Sequence, residues 1–451
     1  MGMKLTFCSL DRLSVVSFIL LAVCGSLSDC YDPLDPNGNI TVTFDTLRWT
    51  DDGYEAAVNI QNYHQYRHVG SPGWRLGWTW AGAEVIWSVT GAFATQLGNC
   101  SHAFKSRLPH SCRRDPVIRD LAPGAKPEDR APGCCSGGVL SASAVDPVRS
   151  VSSFKLVVGN LNRDETGEPP VNLTLMAPGP GYTCSPLLVV DPTVSTAIYG
   201  QRQEQVFRTW KSTCTYSTFL AYKIPTCCVS FSAFYSPAIT PCPTCSCGCR
   251  AADQNAITCI RQGYTSDSAT FAGVTDTVQC TDHTCPVRVH WHIKNNYMSH
   301  WRVKLTVSNY HYSRNYSSWN VLVQHPGFRQ AADTFSFNSA SLPSAGFSDD
   351  VALFWGLDFY NKDLLQIDGN QVGSVTSEIL IKKDLSSFTF RNGWGFPRKV
   401  YFDGENCVMP LPDNFPMLPS SSRSSSSLAL TPWLLLHFMH LVLFTRHSLR
   451  P

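Results

Sequence analysis

Charge is scarce in this 451-residue chain: 16% of residues are charged and the formal net charge is +2. No basic stripe is present, which excludes a nucleic-acid partner. No long stretch carries a helical period, which excludes a helical bundle. No run is apolar for long enough to make a convincing membrane span. The usual catalytic signatures are missing too: no G-x-S-x-G, no H-E-x-x-H, no P-loop and no dinucleotide fingerprint. Carboxylates cluster at Asp51–Asp52 and Asp349–Asp350, both in turn-like contexts where Asp is expected. A glycosidase needs two carboxylates converging across ~5–9.5 Å, and nothing in the sequence points to such a pair. The chain reads as a non-enzyme with no cofactor.

What is abundant is cysteine, 19 in all. The segment Cys227–Cys249 holds six of them: Cys227, Cys228, Cys242, Cys245, Cys247 and Cys249. Such density means covalent fixation, by disulfides or by a metal. The last four have metal-like spacing and would suggest zinc in a cytosolic protein. In an oxidising compartment disulfides are the default, and the two ends of the chain place it in one.

Residues 1–28 read as a cleaved secretory signal, with Lys4 and Arg12 leading, an apolar run Leu13–Val23, and small residues Ser26 and Ser28. At the other end, the Ser-rich stretch Pro419–Ser427 precedes a mostly apolar tail, Leu428–Phe444. Small residues, a polar spacer and a short apolar tail form a GPI-attachment pattern. Ser420 is the expected attachment site, with Ser421, Ser422 and Ser424 as alternatives; residues 428–451 would be removed. A single-span anchor is the weaker reading, because Pro432, His437 and His440 interrupt the tail. Cys8 and Cys24 leave with the signal. Sixteen of the remaining cysteines fall between Cys100 and Cys407, and Cys30 is the odd one. Adjacent pairs, Cys134–Cys135 and Cys227–Cys228, rarely bond internally, so each member is expected to reach a different strand. The metal reading is set aside.

The remaining signals are those of β-structure. ITVTFDTLRW (Ile40–Trp49) alternates, TDDG turns, and YEAAVNIQNY runs back. Similar units recur, punctuated by Gly, Pro, Asn and Asp. The expected fold is all-β: two β-sandwich-like domains with a disulfide-rich segment, flanked by the signal and the GPI signal. The first is placed at 29–205 and the second at 206–410, followed by a Pro/Ser-rich stalk, 411–427.

Aromatics reach 12% of the chain, with 12 Trp. Sugar rings present flat C–H faces that stack on aromatic faces. The candidates for such contact are Trp49, Tyr63, Tyr66, Trp74, Trp78, Trp80 and Trp87. In WRLGWTW, Trp74, Trp78 and Trp80 share one strand face, which suits either a sugar-binding strip or a core. His290 and His292 share a strand face in VRVHWHIK; with His283 they could hold a metal, but packing or hydrogen bonding is the favoured reading. Sequons stand at Asn39, Asn172 and Asn315, with Asn99 weaker because Cys100 follows it.

Together these features resemble the plant COBRA-like family of GPI-anchored extracellular proteins. The resemblance is carried by YDPLDPNGNIT (Tyr31–Thr41), the NYHQYRH…PGWRLGWTWAGAEVIWSVTGA segment, PGPGYTC, CCVSF and CPTCSCGC. It continues through CPVRVHWHIKNNY, FYNKDLL and GWGFPRKVYFDGENCVMP, and spans about Tyr31 to Pro416. Cys30 and the histidine-bearing tail depart from the pattern. The resemblance implies cellulose or a related glucan as partner, the outer leaflet of the plasma membrane as location, and a role in microfibril deposition, orientation and crystallinity. It puts Trp49, Trp74, Trp78, Trp80 and Trp87 in the family's binding region. The rival readings are an enzyme acting on wall polysaccharide, and a surface molecule that binds other proteins.

Overall fold

The alternation in ITVTFDTLRW buries Ile40, Val42 and Phe44 on one side of the strand Ile40–Thr50. That strand pairs antiparallel with Gly53–Asn62, whose Tyr54, Ala56, Val58 and Ile60 point the same way. The computed structural model describes residues 32–418, apart from 33, 162–166, 193–194, 198–201, 205, 222–225, 235, 237, 243–248, 252–256, 261–276, 280–285, 312–313, 343–349, 367–371, 384–394 and 417; for 195–197, 202–204, 249–251, 257–260 and 277–279 it gives the backbone alone. The signal, Cys30, Cys245, Cys247, His283, Ser420 and the apolar tail lie outside the described residues, as does the side chain of Cys249.

The fold is all-β, and among the described residues the only helices are short 3-10 turns. In the first domain, the sheet built on these two strands also takes in Val151–Gly159, Val85–Thr90, Arg208–Tyr216, Leu188–Val190 and Tyr182–Cys184. A second sheet of Ala92–Ala94, Val117–Asp120, Arg75–Thr79 and Val171–Met176 faces it. One apolar core joins the inner faces, including Phe44 against Trp78 and Trp74 stacked on Phe154. The second domain repeats the plan. One sheet holds Cys227–Ala233, Val287–Asn296, His300–Asn309, Gly373–Lys382 and Asp333–Thr334. The other holds Asn338–Ser341, Val351–Trp355, Asn320–Gln324, Lys399–Phe402 and Glu405–Asn406. Trp291, Leu305, Val321, Phe354 and Val400 fill the space between.

The boundary expected at 205/206 moves. Strand Arg208–Tyr216 pairs with Ile40–Thr50, and Cys214 on it bonds to Cys184. The first domain therefore runs through Tyr216, and the second begins at the strand Cys227–Ala233.

Five disulfides join described cysteines. Cys227 bonds to Cys407 across 180 residues, stapling the start of the second domain to its end, and Cys228 bonds to Cys242. This adjacent pair reaches two different segments, as expected. Cys134 and Cys135 do not: they bond to each other. The reason lies in the loop. Cys135 has φ 76°, between Gly133 and Gly137 in the same left-handed region. The Asp120 carboxylate accepts from the N–H groups of Cys135, Ser136 and Gly138, each at 2.8 Å, which folds the two cysteines into one tight turn. Cys100 bonds to Cys112. Asn99, Asn172 and Asn315 are exposed and Asn39 is half-buried.

Candidate functional site

The aromatic set divides three ways. Strand Arg75–Thr79 lies between two partners of the second sheet, and its alternation turns Leu76 and Trp78 inward. Trp74, Trp78 and Trp80 are 1%, 2% and 1% exposed, and Tyr66 is fully buried. These four cannot stack on a polysaccharide; they are core. The physical cause is the opposite sheet: Phe44 and Phe154 fill the face that a glucan would need. Burial of each such side chain contributes about 1.5–3 kcal/mol, which outweighs any advantage of exposing a flat strip. Tyr66 instead donates from its hydroxyl to Asp32 Oδ2 at 2.6 Å and packs edge-on against Tyr401 of the second domain at 5.6 Å.

Trp49 and Trp87 converge on the turn between the first two strands, Thr50–Gly53. Gly53 is required there, because a Cβ would meet Val158 O at 2.0 Å. A bulge between Thr46 and Arg48 shifts the register, so that Trp49 stands opposite Tyr54. Trp49 packs edge-on to that buried ring at 5.8 Å, yet remains 38% exposed at the rim. The Arg208 guanidinium lies over the Trp49 ring at 5.6 Å. A second bulge, between Ile86 and Ser88, leaves Trp87 without a strand partner. Bulges commonly re-aim side chains in this way. The Trp87 indole N–H donates to Asp52 Oδ2 at 3.0 Å, Phe104 meets the ring edge-on at 5.6 Å, and Arg107 lies over it at 4.9 Å. The half-buried ring is thus pinned to the turn that follows Trp49.

The tip therefore carries two accessible indoles, each with a cation beside it. It also carries the carboxylates of Asp51 and Asp52 and an Arg48–Glu55 ion pair at 2.9 Å. Flat rings with adjacent donors and acceptors can hold a polar ring compound by its apolar face and its hydroxyls together. Tyr63 does not join them. It is 45% exposed, but lies nine residues along from Tyr54, beyond the far end of its strand, about 30 Å away at ~3.4 Å per residue.

His290 and His292 form no metal site with described residues, and among those residues no cluster of three His, Cys, Asp or Glu could hold an ion. Instead they bond to the neighbouring parallel strand. Ser230 Oγ lies 2.7 Å from His290 Nδ1, and Ser232 Oγ bridges His290 Nε2 at 2.9 Å and His292 Nδ1 at 2.7 Å. Burial, with Arg288 and His292 nearby, pushes His290 down to about 4. Both imidazoles are thus engaged by serine hydroxyls of the neighbouring strand, and His283 lies outside the described residues.

A polar junction between the domains is not announced by any local motif. Asp403 and Gly404 both have positive φ, 49° and 89°, in a two-residue hairpin whose Asp-Gly pair is a strong turn signal. That turn sits on Arg67: a Cβ at Gly404 would meet Arg67 Cα at 2.6 Å. The buried Arg67 donates to Gly404 O and pairs with Glu405, which also accepts from the Tyr216 hydroxyl at 3.1 Å. The detectable signal was an Arg isolated among aromatics in NYHQYRH, in a chain with few charges.

Comparison with known proteins gives the same two units. A family model described as the COBRA N-terminal domain matches residues 54–217, and one described as the COBRA family C-terminal domain matches 226–416. This chain belongs to the COBRA family. COBRA-like protein 1 of Oryza sativa subsp. japonica is 48% identical over 436 residues, covering 94% of this chain and 96% of its own. COBRA-like protein 1 of Arabidopsis thaliana has the same identity and coverage. Protein COBRA of Arabidopsis thaliana is 46% identical over 422 residues, 91% of this chain and 92% of its own. The N-terminal match contains strand Gly53–Asn62 from its second residue and all of Arg208–Tyr216, and so ends where the first sheet ends.

Proposed function

We propose that this COBRA family member is a non-enzymatic cell-surface protein that binds cellulose or a related glucan and promotes ordered microfibril deposition during cell-wall biogenesis. The observation that carries the reading is the pair of accessible indoles, Trp49 and Trp87, fixed at one hairpin tip. A flat stacking surface tolerates sliding along a polymer, which suits guidance of nascent chains rather than cleavage. A GPI lipid at Ser420 would hold the tip near the membrane face where glucan emerges.

The test is retention of the whole mature chain, secreted without residues 428–451 so that it carries no lipid, on crystalline and amorphous cellulose. Trp49→Ala and Trp87→Ala should each lose about tenfold or more in affinity, since each indole covered by glucan is worth ~1.5–3 kcal/mol. A well-folded parent with no retention on either form overturns the reading.

One observation favours the protein-binding alternative. Phe359 and Tyr360 are fully and 74% exposed in the second domain, and Phe335 is 65% exposed. Their segments are tied together by Asn361 Nδ2 donating to Ser336 O at 2.8 Å. Phe359 also has φ 62°, a strained state of the kind that clusters at functional sites. If Phe359→Ser, and not Trp49→Ala, abolished wall association, the alternative would stand.

A further inference from the structure

Beside the Arg67–Glu405 pair lies a cavity of about 300 Å³, lined from both domains. Its volume is at the lower end of small-molecule sites. It is lined by two guanidinium groups, Arg67 and Arg314, and two carboxyls, Glu405 and Asp403. Arg67 is matched by Glu405. Arg314 stacks over Tyr316 at 4.6 Å and forms no ion pair among the described residues. Its Nε is buried without a hydrogen-bond partner, and so are His68 Nδ1 and Thr226 Oγ1 on the same lining. Native proteins rarely leave buried polar atoms unmatched, and three of those found among the described residues belong to side chains of this one lining.

The neighbouring acid balances Arg314 only in part. Asp403 is half-buried and accepts from the Asn320 N–H at 2.9 Å; burial still pushes its carboxyl up to about 7, although that bond and Arg314 act to lower it. His68 is held neutral by burial and by Arg314, down to about 4. Below neutral pH, as Asp403 takes up its proton, Arg314 becomes the less compensated of the two guanidinium groups. The remaining walls are flat and apolar: Pro178 and Pro180 from the first domain, Tyr316 and Phe402 from the second.

We infer that this interdomain cavity binds a hydroxylated carboxylate of about one sugar ring, a uronic acid, with its carboxylate against Arg314 and its ring between the proline and aromatic walls. The guanidinium supplies paired donors that suit a carboxylate, and the ring hydroxyls, each both donor and acceptor, suit a lining that mixes the two. A neutral sugar leaves Arg314 unmatched, and a simple carboxylate leaves the walls uncovered. The inference is independent of glucan stacking at the hairpin tip, so either can fail while the other stands.

The test is calorimetry on the whole mature chain, secreted without residues 428–451 so that it carries no lipid, at pH 6 with D-glucuronate, D-glucose, acetate and a disaccharide ending in glucuronate. Glucuronate should bind at least tenfold tighter than glucose or acetate. A disaccharide bound as tightly as the monomer or better assigns the end of an acidic polysaccharide as the source; a weaker one assigns the free sugar acid. Arg314→Gln should weaken glucuronate at least tenfold, and Arg314→Lys less. A second variant guards against a misfolded Arg314→Gln. A Cβ at Gly70 would meet Arg314 Nη2 at 2.5 Å, the far end of a flexible side chain, so Gly70→Ala should displace the guanidinium and cost several-fold. No glucuronate binding by the folded parent overturns the inference. So does glucose binding as tightly as glucuronate, or parental affinity in folded Arg314→Gln or in Gly70→Ala.

Discussion

Strand Arg75–Thr79 and the hairpin tip at Thr50–Gly53 are built from the same residue type in the same domain, yet their tryptophans have opposite fates. Trp78 alternates inward with its strand and meets Phe44 at 5.4 Å. A register shift lies beside all three. At Trp78 the extra residue is on the partner strand Val171–Met176; just before Trp49, and at Trp87, it is on the strand that carries the tryptophan, and these two reach the rim. An aromatic run in regular alternation is thus a statement about the core. An aromatic at or just past an extra residue of its own strand, close to a turn, is the better candidate for binding.

The strongest way to break this comparison is Trp78→Ala. A core tryptophan truncated to alanine should cost about 3–5 kcal/mol, read as a lower denaturant midpoint, while Trp49→Ala should cost less than about 1.5 kcal/mol. Equal losses would mean that the tip is also structural. Cellulose retention should move the other way: a folded Trp78→Ala chain keeps it and a Trp49→Ala chain loses it.

The second domain sharpens the point through alternation alone. In strand Val287–Asn296, Val287, Val289, Trp291 and Ile293 are fully buried, which sends His290 and His292 to the other face and onto Ser230 and Ser232. The pKa of His290 is lowered to about 4 in the folded chain, against about 6.5 when unfolded. The unfolded chain therefore takes up a proton that the folded chain refuses. The stability this group contributes is complete above pH 6.5 and is lost as pH falls toward 4, by about 2–3 kcal/mol at the acid end. His68 is shifted the same way by its own burial. His290→Gln should flatten the loss of stability between pH 7 and 4.5, measured as urea midpoints. An unchanged slope would show that His290 is protonated without penalty.

Alternation, turns and cysteine density are written locally, and the all-β plan was legible from them. The ITVTFDTLRW–YEAAVNIQNY hairpin forms where the pattern places it. What local pattern cannot carry is the partner across the core. Nothing in WRLGWTW says that Phe44 and Phe154 will cover it. Nor does a strand announce its bulge: Leu47 and Trp87 look like any other strand residues. The Cys134–Cys135 bond depends on Asp120, fifteen residues away, gripping the loop. The Arg67–Glu405 pair spans 338 positions. Local pattern places strand Arg208–Tyr216 with the second domain for the same reason, because its partner, Ile40–Thr50, lies far back in the chain.

The smallest expected effect tests what fixes the tip. The Asp52 carboxylate holds Trp87 through one hydrogen bond at 3.0 Å on an exposed surface. Such a bond adds only ~0.5–1.5 kcal/mol, so Asp52→Ala should leave the denaturant midpoint almost unmoved. Its effect belongs to binding: a ring free to turn must be ordered by the glucan, and retention should fall about two- to fivefold. The decisive comparison is the double variant. If Asp52 acts by orienting Trp87, then Asp52→Ala added to Trp87→Ala should lower retention no further, because the ring it orients is gone. Additive losses would mean that Asp52 touches glucan directly, and that the tip recognises hydroxyls through its acid as much as ring faces through its indoles.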